Sequence, residues 1–215
     1  QRGDRWGGSY ENRMRFPVAV LRRVREAVGD DFIVIYRIAA MEMMADGSSW
    51  EEVVQLGKAV EAAGATIMST HFVWHQAQVP TISTRVPRAA FASVTGRLRR
   101  ELSIPLITSN RINMPDVAER VLADGLADIP SMGRPMLADP EFARKADEGR
   151  ADEINTCIAC NQACLDHAFR GKIVSCLVNP RACHETELNY TPAASARRIA
   201  VVGAGPAGLA CAVTA

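Results

Sequence analysis

The sequence has no apolar run approaching the ~20 residues that a membrane-spanning helix needs; its longest runs are about strand length. It also lacks an excess of either charge. Twenty-five basic residues face 24 acidic ones, a net charge of +1. No electrostatic footprint therefore marks nucleic acid or an anionic membrane as a partner. No targeting segment is visible, and the expected location is cytoplasmic. Internal repeats and low-complexity segments are absent as well. With 48% hydrophobic and 23% charged residues, the composition is that of a globular protein that can bury a core. A secreted disulfide scaffold is rejected despite six cysteines, because such scaffolds are short and core-poor.

What is present falls into three regions. Residues 1–150 alternate helix-like and strand-like segments. Apolar positions at helical spacing run over 10–28, a β-branched run covers 31–39, and a second helix is expected over 49–64. Ser48 or Ser49 is its cap, and Glu51 and Glu52 lie in its first turn. Strands follow at 65–70, 105–109 and 127–132, the last with an awkward Pro130. Helices are expected near 93–103, over 114–125 with Gly125 at the end, and over 139–149. Strand then helix, repeated, predicts an α/β fold of parallel units. A doubly wound sheet and a (β/α)8 barrel both fit, and in either the chemistry sits at the C-terminal strand ends. Arg37, His71 to His75, Asn110 with Arg111, and Gly133 with Arg134 are the residues expected there. Residues 151–195 lose the periodicity and are rich in cysteine, with a linker at 191–197. From 198 a strand, a glycine turn and the start of a helix are expected.

The strongest motif is Cys157-x2-Cys160-x3-Cys164-x11-Cys176. Three thiolates within eight residues can hold one corner of a cubane, and a fourth closes it, so the spacing favours a [4Fe–4S] cluster. A four-cysteine zinc site is the alternative, although zinc ribbons place two two-ligand knuckles far apart. Cys183 and His184 compete as the fourth ligand, while Cys211 is expected to be a buried helix residue. The second motif is Gly203-x-Gly205-x-x-Gly208 after RIAVV. It makes the turn, the close approach and the helix–strand packing of a dinucleotide site, with FAD and NAD both open. The third is the polar set at the strand ends. Arg111, Arg134 and the Gly133 backbone suit a phosphate dianion, and Arg37 suits the negative charge of a reduced flavin. Rim salt bridges would account for the same arginines. His75 is either a proton donor beside a carbon that receives hydride or a locally bonded loop histidine.

These residues resemble a family. The opening RGDRWGGSYENRMRF is similar to a segment of Old Yellow Enzyme-type NADH:flavin oxidoreductase barrels. The cysteine run followed by VVGAGPAGLA resembles the subgroup that fuses such a barrel to a cluster and a nucleotide-binding domain. STHFVWHQAQVPTI, LITSNRIN and SMGRPMLAD are closest to its bacterial NADPH-dependent 2,4-dienoyl-CoA reductase branch. The resemblance implies the C-terminal half of an FMN-binding TIM barrel over 1–150, a [4Fe–4S] segment over 151–195 and the start of an FAD domain over 196–215. It implies Arg37 near the flavin ring, Arg111, Gly133 and Arg134 at the FMN phosphate, and the four cysteines on the cluster. Gly203, Gly205 and Gly208 would belong to FAD, and His75 would be the active-site histidine. The implied substrate is a small-molecule acyl-CoA thioester, reduced by NADPH through FAD, the cluster and FMN. Enone or enoate reduction and amine dehydrogenation are the alternatives on this scaffold, and a zinc-stapled structural protein the non-enzymatic one. The chain is expected to be an internal piece, without the first barrel strands or a tyrosine that partners the histidine.

Overall fold

The computed structural model describes residues 2–73, 78 and 81–215. Its helices begin where the side chains can satisfy free N–H groups. Helix α1 (Tyr10–Val28) is capped by Ser9, whose side chain accepts from the Asn12 N–H. Helix α2 (Trp50–Ala62) is capped by Ser49 in a complete capping box with Glu52, which selects Ser49 over Ser48 as the cap. Strands β1 (Ile35–Met41) and β2 (Ile67–Phe72) follow α1 and α2 in turn. Helix α3 (Ala92–Arg99) leads to β3 (Leu106–Thr108), and α4 (Pro115–Ala123) to β4 (Ile129–Pro130). The chain leaves α4 through Gly125, at φ +64°, a conformation that glycine adopts without a Cβ penalty.

The four strands are parallel and lie in the order β1-β2-β3-β4. A doubly wound sheet reverses direction at a switch point. Strands that neighbour one another in chain order are the pattern of a (β/α)8 barrel. Pro130 is tolerated because it ends the outermost strand, where its missing N–H removes little from the ladder.

One face of the sheet is covered. Ile38, Met68 and Leu106 pack against Val18 and Leu21 of α1 and Val53 and Val60 of α2. Between α3 and the sheet, Thr95 joins Thr70 and Thr108 in a buried chain of hydroxyls at 2.8 Å per link. The other face carries Arg37 of β1, Ser69 and His71 of β2 and Ile107 of β3, and it is more open.

Several expectations need correction. Arg37 does not end its strand: it is the third of seven residues of β1, opposite Ser69. The helix expected over 139–149 is shorter, α6 at Phe142–Asp147, and a separate short α5 (Arg134–Ala138) precedes it. RIAVV at 198–202 forms no strand. A strand is held by its neighbour's N–H and C=O groups, and among the described residues nothing pairs with this segment. Cys211 is exposed, not buried. The cysteine-rich region holds α7 (Leu165–Phe169), and α8 (Pro206–Thr214) follows the glycine turn.

Candidate cofactor site

Cys157, Cys160, Cys164 and Cys176 line one pocket, with about 350 Å³ of space between atoms, part of it open to solvent. All four are half-buried free thiols. Among the described residues, no three His, Cys, Asp or Glu side chains meet as ligands of a single ion, although all four thiols line the one pocket. Burial pushes the Cys176 thiol up, the Val178 and Asn179 N–H groups that point at its sulfur pull it down, and Cys157 and Cys164 push it up again. Cys183 and His184 do not line this pocket. Cys183 is exposed in a left-handed conformation, and His184 bonds Glu187 at 3.3 Å.

The cysteine run is fastened to the loops that follow the strands. After β2, Thr84 Oγ1 donates to the Ile158 carbonyl at 2.7 Å, and Asn161 Nδ2 to the Ile82 carbonyl at 3.2 Å. After β3, Asn113, 4% exposed, donates to the Cys157 carbonyl at 2.8 Å. After β4, the Leu137 carbonyl accepts from Asn179 at 2.9 Å, and Arg134 Nη1 donates to Asn161 Oδ1. Asp139, 2% exposed, accepts from Lys145 Nζ at 2.7 Å and from the Asn155 N–H at 2.9 Å, two residues before Cys157. Four side chains on three loops, with Asn161 and Asn179 of the cysteine run itself, thus hold the thiols over the C-terminal ends of the strands. Sequence spacing shows none of these contacts, because all but Asp139–Lys145 join residues 16 or more positions apart.

The same strand ends collect positive charge. Burial lowers the Arg111 pKa, the neighbouring Cys157 sulfur opposes this, and Arg88 and Arg134 reinforce it. Arg88 and Arg134 therefore both lie near Arg111. Among the described residues no carboxylate pairs with any of them. Their placement is enforced by the backbone: Asn110 and Arg111 have φ +74° and +59°, a strained pair of the kind that concentrates at ligand sites. Arg111 Nε is tied to the Val86 carbonyl at 2.9 Å. At Gly133 a Cβ would meet no atom within 4 Å, so a side chain there would fill the open space beside the backbone. Unpaired guanidinium groups around an open backbone fit a dianion such as the FMN phosphate.

Arg37 stands apart from this cluster on the open face of the sheet. Its Nη2 lies 3.1 Å from His71 Nδ1. His75 is outside the described residues. Gly203 has φ +109°, and a Cβ at Gly208 would lie 2.0 Å from the Gly203 carbonyl oxygen and 3.5 Å from Val201. Gly203 has the positive φ of a turn and Gly208 packs against that turn and Val201, not against a strand, while Gly205, expected to admit a pyrophosphate, has no crowding of its own.

Comparison with known proteins finds relatives of the chain in sequence and in fold. The profile of the NADH:flavin oxidoreductase / NADH oxidase family matches residues 1–153. A metal reductase from Desulforamulus reducens is 44% identical over 97% of this chain and 31% of its own length. A solved 2-naphthoyl-CoA reductase in complex with 2-naphthoyl-CoA superposes with a TM-score of 0.95 at 37% identity, over 100% of this chain and 33% of that one. Histamine dehydrogenase from Rhizobium sp. 4-9 superposes at 0.74 with 31% identity, over 86% of this chain and 27% of that one. The chain thus spans about a third of the length of the proteins it matches.

Proposed function

This chain belongs to the NADH:flavin oxidoreductase / NADH oxidase family, and on that premise we propose that it is the electron-transfer portion of an NADPH-dependent reductase of 2,4-dienoyl-CoA thioesters, with FMN, a [4Fe–4S] cluster and FAD as cofactors. The observation that carries the reading is the placement of four thiols on the strand ends where the unpaired arginines gather. Four ligands of one zinc lie about 2.3 Å from a common point. Four ligands of a cubane each meet a different iron, and the x2, x3 and x11 spacing of these cysteines favours that arrangement. The unpaired cysteines also suit a reducing, cytoplasmic compartment.

When bound, these groups supply hydride transfer at the nicotinamide and flavins and one-electron transfer at the iron–sulfur centre. The chain's own residues hold and orient. Cys157, Cys160, Cys164 and Cys176 are the cluster ligands, and Asn113, Asn161, Asn179 and Asp139 keep their loop against the barrel. Arg111, Arg134 and the Gly133 backbone hold the FMN phosphate. Arg37, oriented by His71, places a cation beside the flavin ring, where it favours the anionic reduced state. His75 delivers a proton to the α-side of the thioester. Gly203, Gly205 and Gly208 let a dinucleotide pyrophosphate reach the backbone of α8.

A CoA thioester bound to the naphthoyl-CoA reductase supports this substrate class. A second reading, oxidation of an amine on the same scaffold, is favoured by the likeness to histamine dehydrogenase. The full-length protein, assayed without oxygen, separates them. NADPH-dependent loss of 2,4-dienoyl-CoA absorbance in a protein that carries FMN is the expected result. Turnover of histamine or of other amines with no activity on dienoyl-CoA or 2-naphthoyl-CoA would select the second reading.

A further inference from the structure

Arg134 follows β4 at the head of α5, the position expected to face a phosphate. Its side chain also lies against the cysteines. It lines the pocket with Cys157, Cys160, Cys164 and Cys176, and its Nη1 donates to Asn161 Oδ1, between Cys160 and Cys164. Asn161 is held in turn by the Ile82 carbonyl and has φ +63°, so the loop that receives Arg134 is fixed from the other side. Among the described residues no carboxylate neutralises this guanidinium. A full positive charge is therefore committed to the rim of the thiol pocket.

We propose that Arg134 is a positioning residue that raises the reduction potential of the four-cysteine centre, an inference that rests on reading those cysteines as iron–sulfur ligands. The one-electron step adds one negative charge to a centre already bearing four thiolates. It makes and breaks no bond and moves no proton. A fixed cation at the pocket rim interacts more favourably with the reduced state than with the oxidised one, so it shifts the equilibrium toward reduction. In a half-buried pocket this attraction is screened less than at an open surface. The hydrogen bond to Asn161 fixes the guanidinium at the pocket, so both the charge and its anchor matter.

The test is an anaerobic titration of the full-length protein, with dithionite as the electron donor and redox mediators present. The reduced centre is followed by electron paramagnetic resonance, a readout independent of turnover. Arg134→Gln should lower the reduced-to-oxidised ratio at fixed potential about tenfold, equivalent to about 59 mV for one electron. Arg134→Lys, which keeps the charge, should stay within about threefold of the parent. If Arg134→Gln does not retain iron, Asn161→Ala carries the test: the guanidinium loses its anchor, and the ratio should again fall. An unchanged ratio in the iron-bearing variant overturns the proposal, as do equal falls for Gln and Lys, which would indicate a structural role alone. Absence of iron from the parent protein would overturn the cysteine reading itself, and the inference with it.

Discussion

Asp139 combines a 2% exposed carboxylate with three donors: Lys145 Nζ at 2.7 Å, the Asn155 N–H at 2.9 Å and the Glu141 N–H at 3.0 Å. Burial raises its pKa, but Lys145 and the two N–H groups outweigh burial and hold it below the ordinary value of 3.8. A depressed folded-state pKa gives stability that is present above the ordinary value and is lost as pH falls through the depressed one. Asp139→Asn should cost about 3 kcal/mol at neutral pH, since it leaves Lys145, whose side chain is 13% exposed, without its counter-charge. Thermal melts of the full-length protein should show that loss near pH 7 and a flatter decline below about pH 4 than the parent's. Equal melting temperatures at pH 7 would contradict this account of Asp139. Lys145 also bonds the Glu153 carbonyl at 2.9 Å, so the same pair fixes the approach to Cys157. That role was not legible in the sequence, because Asp139 read only as the start of a helix.

At the scale of elements, local chemistry was readable and long-range placement was not. The caps of α2, the glycine exit from α4 and the alternation of helix and strand follow from neighbouring residues. The cysteine spacing singled out, for the same reason, the four cysteines that line one pocket. Arg37 was misplaced because an apolar run does not say where strand pairing begins, and β1 extends to Met41 through its partners on β2. RIAVV has strand composition yet no strand, because pairing needs a neighbour that composition cannot supply. The glycine turn after it depends only on its own backbone and is formed. Gly208→Ala would place a methyl group 2.0 Å from the Gly203 carbonyl oxygen, so the turn must open. In the full-length protein this change should abolish or sharply reduce FAD content and leave FMN bound, measured by cofactor release and chromatography. Normal FAD content in the variant would contradict the close approach.

At the scale of the whole molecule, one stretch of exposed apolar side chains runs along α1 and on toward β1. Phe16, Val20, Val24 and Val28 form an exposed stripe along α1 at four-residue spacing, and Phe32, Ile33 and Ile35 continue it toward β1. β1 itself pairs only with β2 among the described residues. An apolar stripe beside an unpaired parallel edge is a surface that a further β/α unit would cover and that otherwise associates with other chains. Residues 1–215 expressed alone should therefore self-associate, seen by light scattering; a monodisperse monomer with a cooperative thermal transition would contradict that. The central claim concerns the four thiols and the strand ends beneath them. Iron, sulfide and zinc analysis of anaerobically purified full-length protein tests it most directly. The account predicts about four iron and four acid-labile sulfide per chain, lost when Cys160 or Cys164 is replaced by Ala. One zinc per chain, with no iron, would contradict it.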